Sequence, residues 1–453
     1  MVTDRADDDE FADFAELLRA GRGEPDGGAG DDPRTRRARR RRRIVALVVV
    51  AVLLAAGGGY TAWALTASVA APSAALRTPA APVSPVAEVP LATSGTAAIG
   101  LTGADGYFAA ASTPLATTRG SGGARVIGSI TKLITALVVL EARPLKGPDD
   151  AGPRITFSKA DHDLYDKYYV MNATIAPMPT GVSMSERDAL SAMLIPSACN
   201  YAEAMARWAY GSQGAFLVAA RRWLSAHGMT DTTIVEPTGV SHRNTSTPHD
   251  LLTLGGVAAA NPAIAAIAAT PAATLPGAGA VYNTNGLLGR DGVTGLKTGN
   301  LGGGTYALLY TASLEVGVDE PVAVTGVILG GDSRGEVDSD TLETLEGIQA
   351  GFHTVDAAHA GDVLGTFTTP WGGSAQAVVG EDASVLTWSD TPVSVSMTTT
   401  TTPARYADGE VIGTLTVTAG PQTATAPIRI AGTIAQPTAW WRLTHPFELA
   451  PFA

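Results

Sequence analysis

Residues 44–65, IVALVVVAVLLAAGGGYTAWAL, run for 22 positions without a charged side chain. About 20 apolar residues, rising ~1.5 Å each, cross the ~30 Å hydrocarbon core of a bilayer. This stretch therefore predicts a single membrane span. Immediately before it, residues 34–43 read RTRRARRRRR, with eight arginines. A basic run alone invites a nucleic-acid reading. Abutting an uncharged span, it reads instead as the positive-inside signal, so no nucleic-acid partner is expected. The N-terminus is then cytoplasmic, the rest of the chain lies outside the cell membrane, and Tyr60 and Trp63 sit near the far interface. A cleaved signal peptide is the alternative. The apolar core is longer than a usual h-region and 43 residues precede it, which favours an uncleaved anchor.

Charge divides the chain unevenly. The formal net charge is −12, yet residues 1–43 cancel, because an acidic segment up to residue 33 is balanced by the arginines. Residues 1–43 read as a cytoplasmic tail. The stretch DDDEFADFAELLRAG could form a short amphipathic helix carrying Phe11, Phe14, Leu17 and Leu18, or remain a solvated tail. Beyond the span, residues 66–95 are rich in Ala, Pro, Ser and Val and read as an extended linker, able to reach on the order of 80 Å from the membrane. Charged residues make up only 16% of the chain, a composition suited to a secreted or wall-associated protein. One cysteine, Cys199, rules out an internal disulfide framework.

At 453 residues the chain exceeds one ordinary domain. Residues 96–357 mix helical and strand patterns, predicting α/β (α+β) layering. The apolar runs flanking Ala104-Asp105-Gly106 signal a hairpin. SITKLITALVVLEA reads as a buried helix. MSERDALSAML reads as a helix capped by Ser185 and Asp188 and ending before Pro196. YAEAMARWAYG and AFLVAARRWLSAHG are helical, and STPHDLLTLGG opens another helix with a polar cap and Pro248. VTGLKTG, TYALLYTASLEV and PVAVTGVILGG read as strands, followed by a helix over about 336–355. Residues 358–436 are short alternating runs broken by Gly, Asp and Pro, predicting a small all-β domain without chemistry of its own. Residues 437–453, containing AWWRLTHPFELAPFA, form an apolar tail that packs on its own domain or contacts a membrane or partner.

The candidate chemistry begins at GSITK. Ser129 and Lys132, three apart at a helix start, share one face. A serine hydroxyl needs a base, and a partly buried lysine near another cation can be one. A helix N-terminus adds N–H groups and dipole for a developing oxyanion. Alone, Ser-x-x-Lys is a weak motif that reads first as an N-cap serine and a surface lysine. Ser197 in LIPS, and Lys297-Thr298-Gly299 in GLKTG, change that. Lys-Thr-Gly on a strand offers an ammonium and a hydroxyl to a carboxylate, and Gly299 allows close approach of backbone. Together Ser-x-x-Lys, Ser-x-Asn and Lys-Thr-Gly are the signature of penicillin-binding proteins and related β-lactamases.

With IGSITKLITALVVLE, AMLIPSACNYAEAMA, EPTGVSHRNTSTPHDLLTLG and VYNTNGLLGRDGVTGLKTGN, the chain resembles a low-molecular-mass penicillin-binding protein, a serine D-alanyl-D-alanine carboxypeptidase, over about residues 96–355. The resemblance implies a penicillin-recognising serine transpeptidase/β-lactamase-like domain. It implies Ser129 as nucleophile, Lys132 as acylation base and Ser197 as proton relay. It implies Lys297 and Thr298 at the substrate carboxylate, and the N–H groups of Ser129 and Asn300 as oxyanion hole. Peptidoglycan stem peptides would be substrates and β-lactams covalent inhibitors, with no metal or cofactor. The seven histidines contain no His-Glu-x-x-His, which leaves a zinc peptidase unsupported. Cys199 departs from the pattern, standing where the Ser-x-Asn asparagine belongs. Asn200 is one residue late and points elsewhere. A thiol donates and accepts hydrogen bonds poorly. Three readings follow: reduced or lost turnover, a tolerated replacement, or a nucleophilic Cys199 that would need its own base and a depressed pKa. The competing functions are a membrane-anchored D,D-carboxypeptidase, a degenerate member that binds stem peptides or cell-wall partners, and a β-lactamase. The last lacks an obvious Glu-x-x-Leu-Asn loop.

Overall fold

The structure, a computed structural model, describes residues 33–110, 118–119, 122–400 and 405–449. The acidic tail and its amphipathic stretch lie outside them. Helix α1 (Pro33–Thr66) contains a window, Arg36–Thr66, long and apolar enough to cross a membrane. Side chains 44–62 along it are exposed, as an apolar surface awaiting lipid would be.

The expected linker is not a free tether. Ser73–Leu76 forms strand β1, which hydrogen-bonds to a strand of the C-terminal domain described below. Farther on, the Ala87 N–H donates to Ser389 Oγ at 2.9 Å, Thr93 N–H to Asp340 Oδ2 at 3.0 Å, and Thr344 Oγ1 to the Pro90 carbonyl at 2.6 Å. Proline and alanine leave most of this backbone without competing side chains, so the folded body can take it up as edge strand and loop filler.

A five-stranded antiparallel sheet follows, from β2 (Thr96–Thr102), β3 (Thr118–Arg119), β4 (Val293–Gly299), β5 (Tyr306–Leu314) and β6 (Val322–Gly331), in the order β4-β5-β6-β2-β3. The expected hairpin at Ala104-Asp105-Gly106 is instead a short helix, α2 (Asp105–Ala110). The Ala104 carbonyl accepts the Tyr107 N–H at 2.9 Å. The turn is held by aromatic packing: Phe108 meets Phe352 and Trp388 edge-on at 5.8 and 5.2 Å between centroids.

Each strand splits its side chains between two cores, because successive residues face opposite ways. Leu309, Val327 and Leu329 face a helical layer. That layer holds α3 (Thr131–Ala142), α4 (Lys159–Val170), α5 (Glu186–Leu194), α6 (Cys199–Tyr210), α7 (Gln213–Ala226), α8 (Pro248–Ala260) and α9 (Pro262–Ala268). Leu308, Tyr310 and Ile328 face α10 (Arg334–Gly351). The helix expected over 336–355 thus stops at Gly351, and Phe352–Ala358 continues as a strand paired with Ala383–Trp388. The Ser185 cap is the one expected: its Oγ accepts the Asp188 N–H at 3.0 Å, and Asp188 Oδ2 returns a bond to the Ser185 N–H.

The all-β domain forms around a third core. Its six-stranded sheet has the order β1-β7-β8-β11-β10-β9, where β7 is Val363–Thr368, β8 Ser374–Val379, β9 Val393–Thr399, β10 Val411–Ala419 and β11 Gln422–Ala431. The partner of β1 is β7. The apolar tail forms helix α11 (Ala439–Thr444) and packs on α1 as well as on the β domain's Trp371.

Candidate active site

Ser129 lies on a single 3-10 turn, Gly128–Ile130, leading directly into α3. The run that follows, residues 131–140, is buried on all sides, so Lys132 on its first turn has no route to solvent and is wholly inaccessible. Its Nζ lies 2.8 Å from Ser129 Oγ and donates to the Thr238 carbonyl at 2.6 Å. A buried lysine head is tolerated only with such partners.

The carbonyl of Thr238 is itself fixed. Glu236 accepts the N–H groups of Thr238 and Gly239, both at 2.7 Å, and the Asn244 amide at 2.9 Å. Asn244 also donates to Thr131 Oγ1 at 3.1 Å, tying this loop to the start of α3.

Strand β4 passes close against the serine turn. A Cβ added to Gly299 would lie 2.4 Å from the Ile127 carbonyl, and one added to Gly128 would lie 2.8 Å from Asn300 N. Only a bare backbone fits here, and it brings the Asn300 N–H beside Gly128, the residue before Ser129. On the same strand Lys297 and Thr298 are buried. Lys297 Nζ donates to Thr284 Oγ1 at 3.0 Å and reaches Thr298 Oγ1 at 3.4 Å. The two threonine hydroxyls are 2.6 Å apart. Burial, reinforced by the Lys132 and Arg334 cations, pulls the Lys297 ammonium well below the ordinary lysine range, against a smaller opposing pull from Cys199.

Ser197 sits on the loop between α5 and α6 with φ +69°, a left-handed conformation costing a non-glycine residue about 1–3 kcal/mol. It is buried, and its Oγ has no hydrogen-bond partner. Strain plus an unpaired buried hydroxyl is the pattern of a group held ready for a ligand.

Cys199 opens α6, buried, its N–H on the Thr174 carbonyl at 2.8 Å. Asn200 is committed elsewhere. Its amide clips both backbone groups of Ala176, accepting from N at 3.2 Å and donating to O at 2.8 Å. It does not replace an amide at position 199.

Of the residues expected at the site, Ser129 and Lys132 come together with Lys297, Gly299 and Asn300 where the serine turn and α3 meet β4; Ser197 lies on the α5–α6 loop, joined to β4 through the Thr284 N–H on the Ile195 carbonyl. Thr284, Thr238 and Glu236 were not anticipated. The Thr284 N–H donates to the Ile195 carbonyl at 3.2 Å, its carbonyl accepts from Arg334 at 2.6 Å, and its hydroxyl meets both Lys297 and Thr298. It connects the Ser197 loop, β4 and α10. The stretches EPTGV and YNTNG carried these residues, but a bond to a backbone carbonyl has no residue signature. Among the described residues no cluster of His, Cys, Asp and Glu fits a metal ion.

Residues 115–332 match the family model Peptidase_S11, described as D-alanyl-D-alanine carboxypeptidase. The chain is similar to a D-alanyl-D-alanine endopeptidase of Pseudomonas aeruginosa, 34% identical over 149 residues, 33% of this chain and 44% of that protein. It thus spans less than half the length of that relative. A D-alanyl-D-alanine endopeptidase of Escherichia coli is 29% identical over 231 residues, 49% of this chain and 69% of that protein. Among solved structures, the Streptomyces K15 DD-transpeptidase is 25% identical with a TM-score of 0.47, covering 57% of this chain and 97% of that one. Penicillin binding protein 5 from Haemophilus influenzae is 18% identical with a TM-score of 0.49, covering 77% of this chain and 99% of that one.

Proposed function

We propose that the chain, whose residues 115–332 match the D-alanyl-D-alanine carboxypeptidase family model, is a serine D,D-peptidase acting on peptidoglycan stem peptides. The observation that carries this reading is the Ser129–Lys132 pair at 2.8 Å, its lysine buried, together with the Lys297–Thr298–Thr284 hydroxyl and ammonium cluster. Lys297 and Thr298 hold the terminal carboxylate. Ser129 Oγ attacks the carbonyl carbon of the penultimate D-alanine while Lys132 takes the hydroxyl proton. The tetrahedral oxyanion lies against the Ser129 and Asn300 N–H groups. Ser197 passes a proton to the leaving amine, D-alanine departs, and water hydrolyses the ester on Ser129. A β-lactam, whose strained amide mimics the D-Ala-D-Ala bond, leaves a stable ester on the same oxygen.

The carboxypeptidase reaction is the one proposed, with residues 44–65 anchoring the enzyme, the N-terminus cytoplasmic and the catalytic domain outside. The relatives named endopeptidases make cleavage of cross-linked dimers the alternative substrate choice. Intact-protein mass spectrometry after penicillin treatment is expected to show one adduct, absent in Ser129→Ala. An adduct persisting in that variant moves the nucleophile elsewhere. D-alanine release from a stem pentapeptide, against cleavage of a cross-linked dimer, separates the two substrates.

A second reading rests on Cys199. The thiol stands where an amide would meet substrate, and Asn200 is occupied by Ala176. A member that acylates and then turns over slowly, retaining stem peptides or cell-wall partners, would label with penicillin yet release little D-alanine.

A further inference from the structure

Helix α4 carries more aromatic surface than its packing uses. Leu164 and Tyr168 are buried on its inner face. That face is fastened to α6: the Tyr168 hydroxyl donates to Glu203 Oε2 at 2.5 Å, and Lys167 Nζ donates to the same oxygen at 2.6 Å. His162, Tyr165 and Tyr169 follow one another at spacings of three and four residues, and so form one stripe along the helix. Their successive ring centroids are 6.4 and 6.5 Å apart, with planes within 2° and 10° of parallel. His162 Nδ1 is held 2.8 Å from the Met178 carbonyl, which fixes the first ring. Tyr169, at the other end, is 68% exposed, and Val170 and Met171 beside it are exposed too.

The stripe leads to the cleft. Just past Tyr169, the Thr174 carbonyl accepts the Cys199 N–H at 2.8 Å, and Asn200 grips Ala176. The chain leaving the stripe is therefore the wall beside the Ser197 loop. From His162 to Tyr169 the helix rises ~10.5 Å, at ~1.5 Å per residue, about the length of a disaccharide. Parallel rings offer a flat apolar bed. An aromatic face carries partial negative charge, and the axial C–H groups of a pyranose carry partial positive charge, so the flat side of a sugar settles on it. Asp166 lies in the same stripe, exposed, and its carboxylate can accept sugar hydroxyls. Asp161, Asp163 and Asp166 on this helix disfavour an anionic lipid surface.

We propose that the His162–Tyr165–Tyr169 stripe is a saccharide platform that seats the amino-sugar chain of peptidoglycan beside the catalytic cleft. The proposal rests on the reading that stem peptides are the substrates, because those peptides hang from that chain. The glycan lies on the rings while its peptide enters the cleft. The platform thus acts on KM for glycan-borne substrate and leaves the acyl-transfer step alone.

The test measures D-alanine release by full-length protein from a free stem pentapeptide and from the same peptide on a glycan fragment. In the wild type, KM for the glycan-borne peptide should be roughly tenfold lower, a few-fold per ring. Tyr165→Ala/Tyr169→Ala should erase that difference, with kcat and the free-peptide KM unchanged. Tyr165→Phe/Tyr169→Phe keeps the rings and should keep the difference. Unchanged penicillin labelling of Ser129 checks that the variants fold. If labelling falls, Tyr169→Ala alone, at the more exposed ring, replaces the double variant. Equal KM values for the two substrates in the wild type overturn the platform, as does an alanine variant that keeps the difference. A co-purifying protein lost from the alanine variant, with the difference kept, gives the stripe to a protein partner and overturns it likewise. If neither substrate releases D-alanine, the peptidase reading has failed by itself, and calorimetry with chitotetraose decides the platform. Binding heat lost in the alanine variant supports it, and absence of binding overturns it.

Discussion

Thr284 is the residue on which the site's three walls meet, and its chemistry dictates its use. Lys297 donates to its hydroxyl, so the hydroxyl's own proton is free to point at Thr298, 2.6 Å away. With Thr284 as the donor of this pair, Thr298 accepts and has its own proton left for a carboxylate. Thr284→Val keeps the shape and removes the relay. A hydrogen bond to a charged group is worth about 1.5–3 kcal/mol, so penicillin acylation rates and KM for a D-Ala-D-Ala peptide should each worsen on the order of tenfold or more. Thr284→Ser should recover most of the loss, and equal losses in both variants would reduce Thr284 to packing. The same arithmetic applies to Cys199. Cys199→Asn restores a donor and an acceptor, so turnover of a D-Ala-D-Ala substrate should rise roughly 10- to 100-fold, provided Ser129 and Lys132 are intact. Steady-state release of D-alanine measures it. No change would mean that the thiol serves adequately.

At the scale of elements, the first turn of α5 carries a buried carboxyl without hydrogen bonds. Glu186 is fully inaccessible and both its oxygens lack partners. Burial raises its pKa from 4.5 to about 7, with Arg143 opposing and Asp150 adding a little. The folded protein thus binds this proton more tightly than the unfolded chain. The contribution is full below pH 4.5 and is lost as pH rises through about 7, on the order of 3 kcal/mol in all. Glu186→Gln cannot ionise. Its Tm should fall less than that of the wild type between pH 5 and 8, in thermal melts over that range. The second element worth testing is the loop before Pro179. Asn200 clips Ala176, and Tyr201 donates to the Pro177 carbonyl at 2.8 Å. Asn200→Ala leaves two buried backbone groups unpaired, about 1–3 kcal/mol each, so a denaturant midpoint well below wild type is expected.

At the scale of the whole molecule, the segment after α1 decides how far the site stands from that helix. Strand β1 depends on a close approach: at Gly365, φ +154°, a Cβ would lie 2.1 Å from the Ala75 carbonyl. Gly365→Val should push β1 off the sheet edge. Limited proteolysis should then cut within residues 67–86, sites resistant in the wild type, while penicillin labelling of Ser129 continues. Unchanged resistance would show that the later contacts of Ala87, Thr93 and Pro90 hold the segment alone.

The sequence by itself determined the features that are local or periodic. The 22-residue uncharged span, the Ser185 capping box, the buried run of α3 and the alternating strands are written in adjacent residues, because helix and strand periods are short. The stretches holding Ser129, Lys132, Ser197, Lys297 and Thr298 are local as well, but only their combination across the chain, and the family resemblance it carries, singles them out. What only the tertiary structure decided are interactions made by backbone or across long separations. The grip of the Thr238 carbonyl on Lys132, the bridging role of Thr284, the helix in place of a hairpin at Asp105, the capture of residues 73–76 as an edge strand and the docking of Arg442 on the Ala67 carbonyl all belong here. A carbonyl is the same in every residue, and an edge strand takes whatever chain reaches it. Such contacts are selected by what the folded body leaves unpaired, which no local stretch of sequence records.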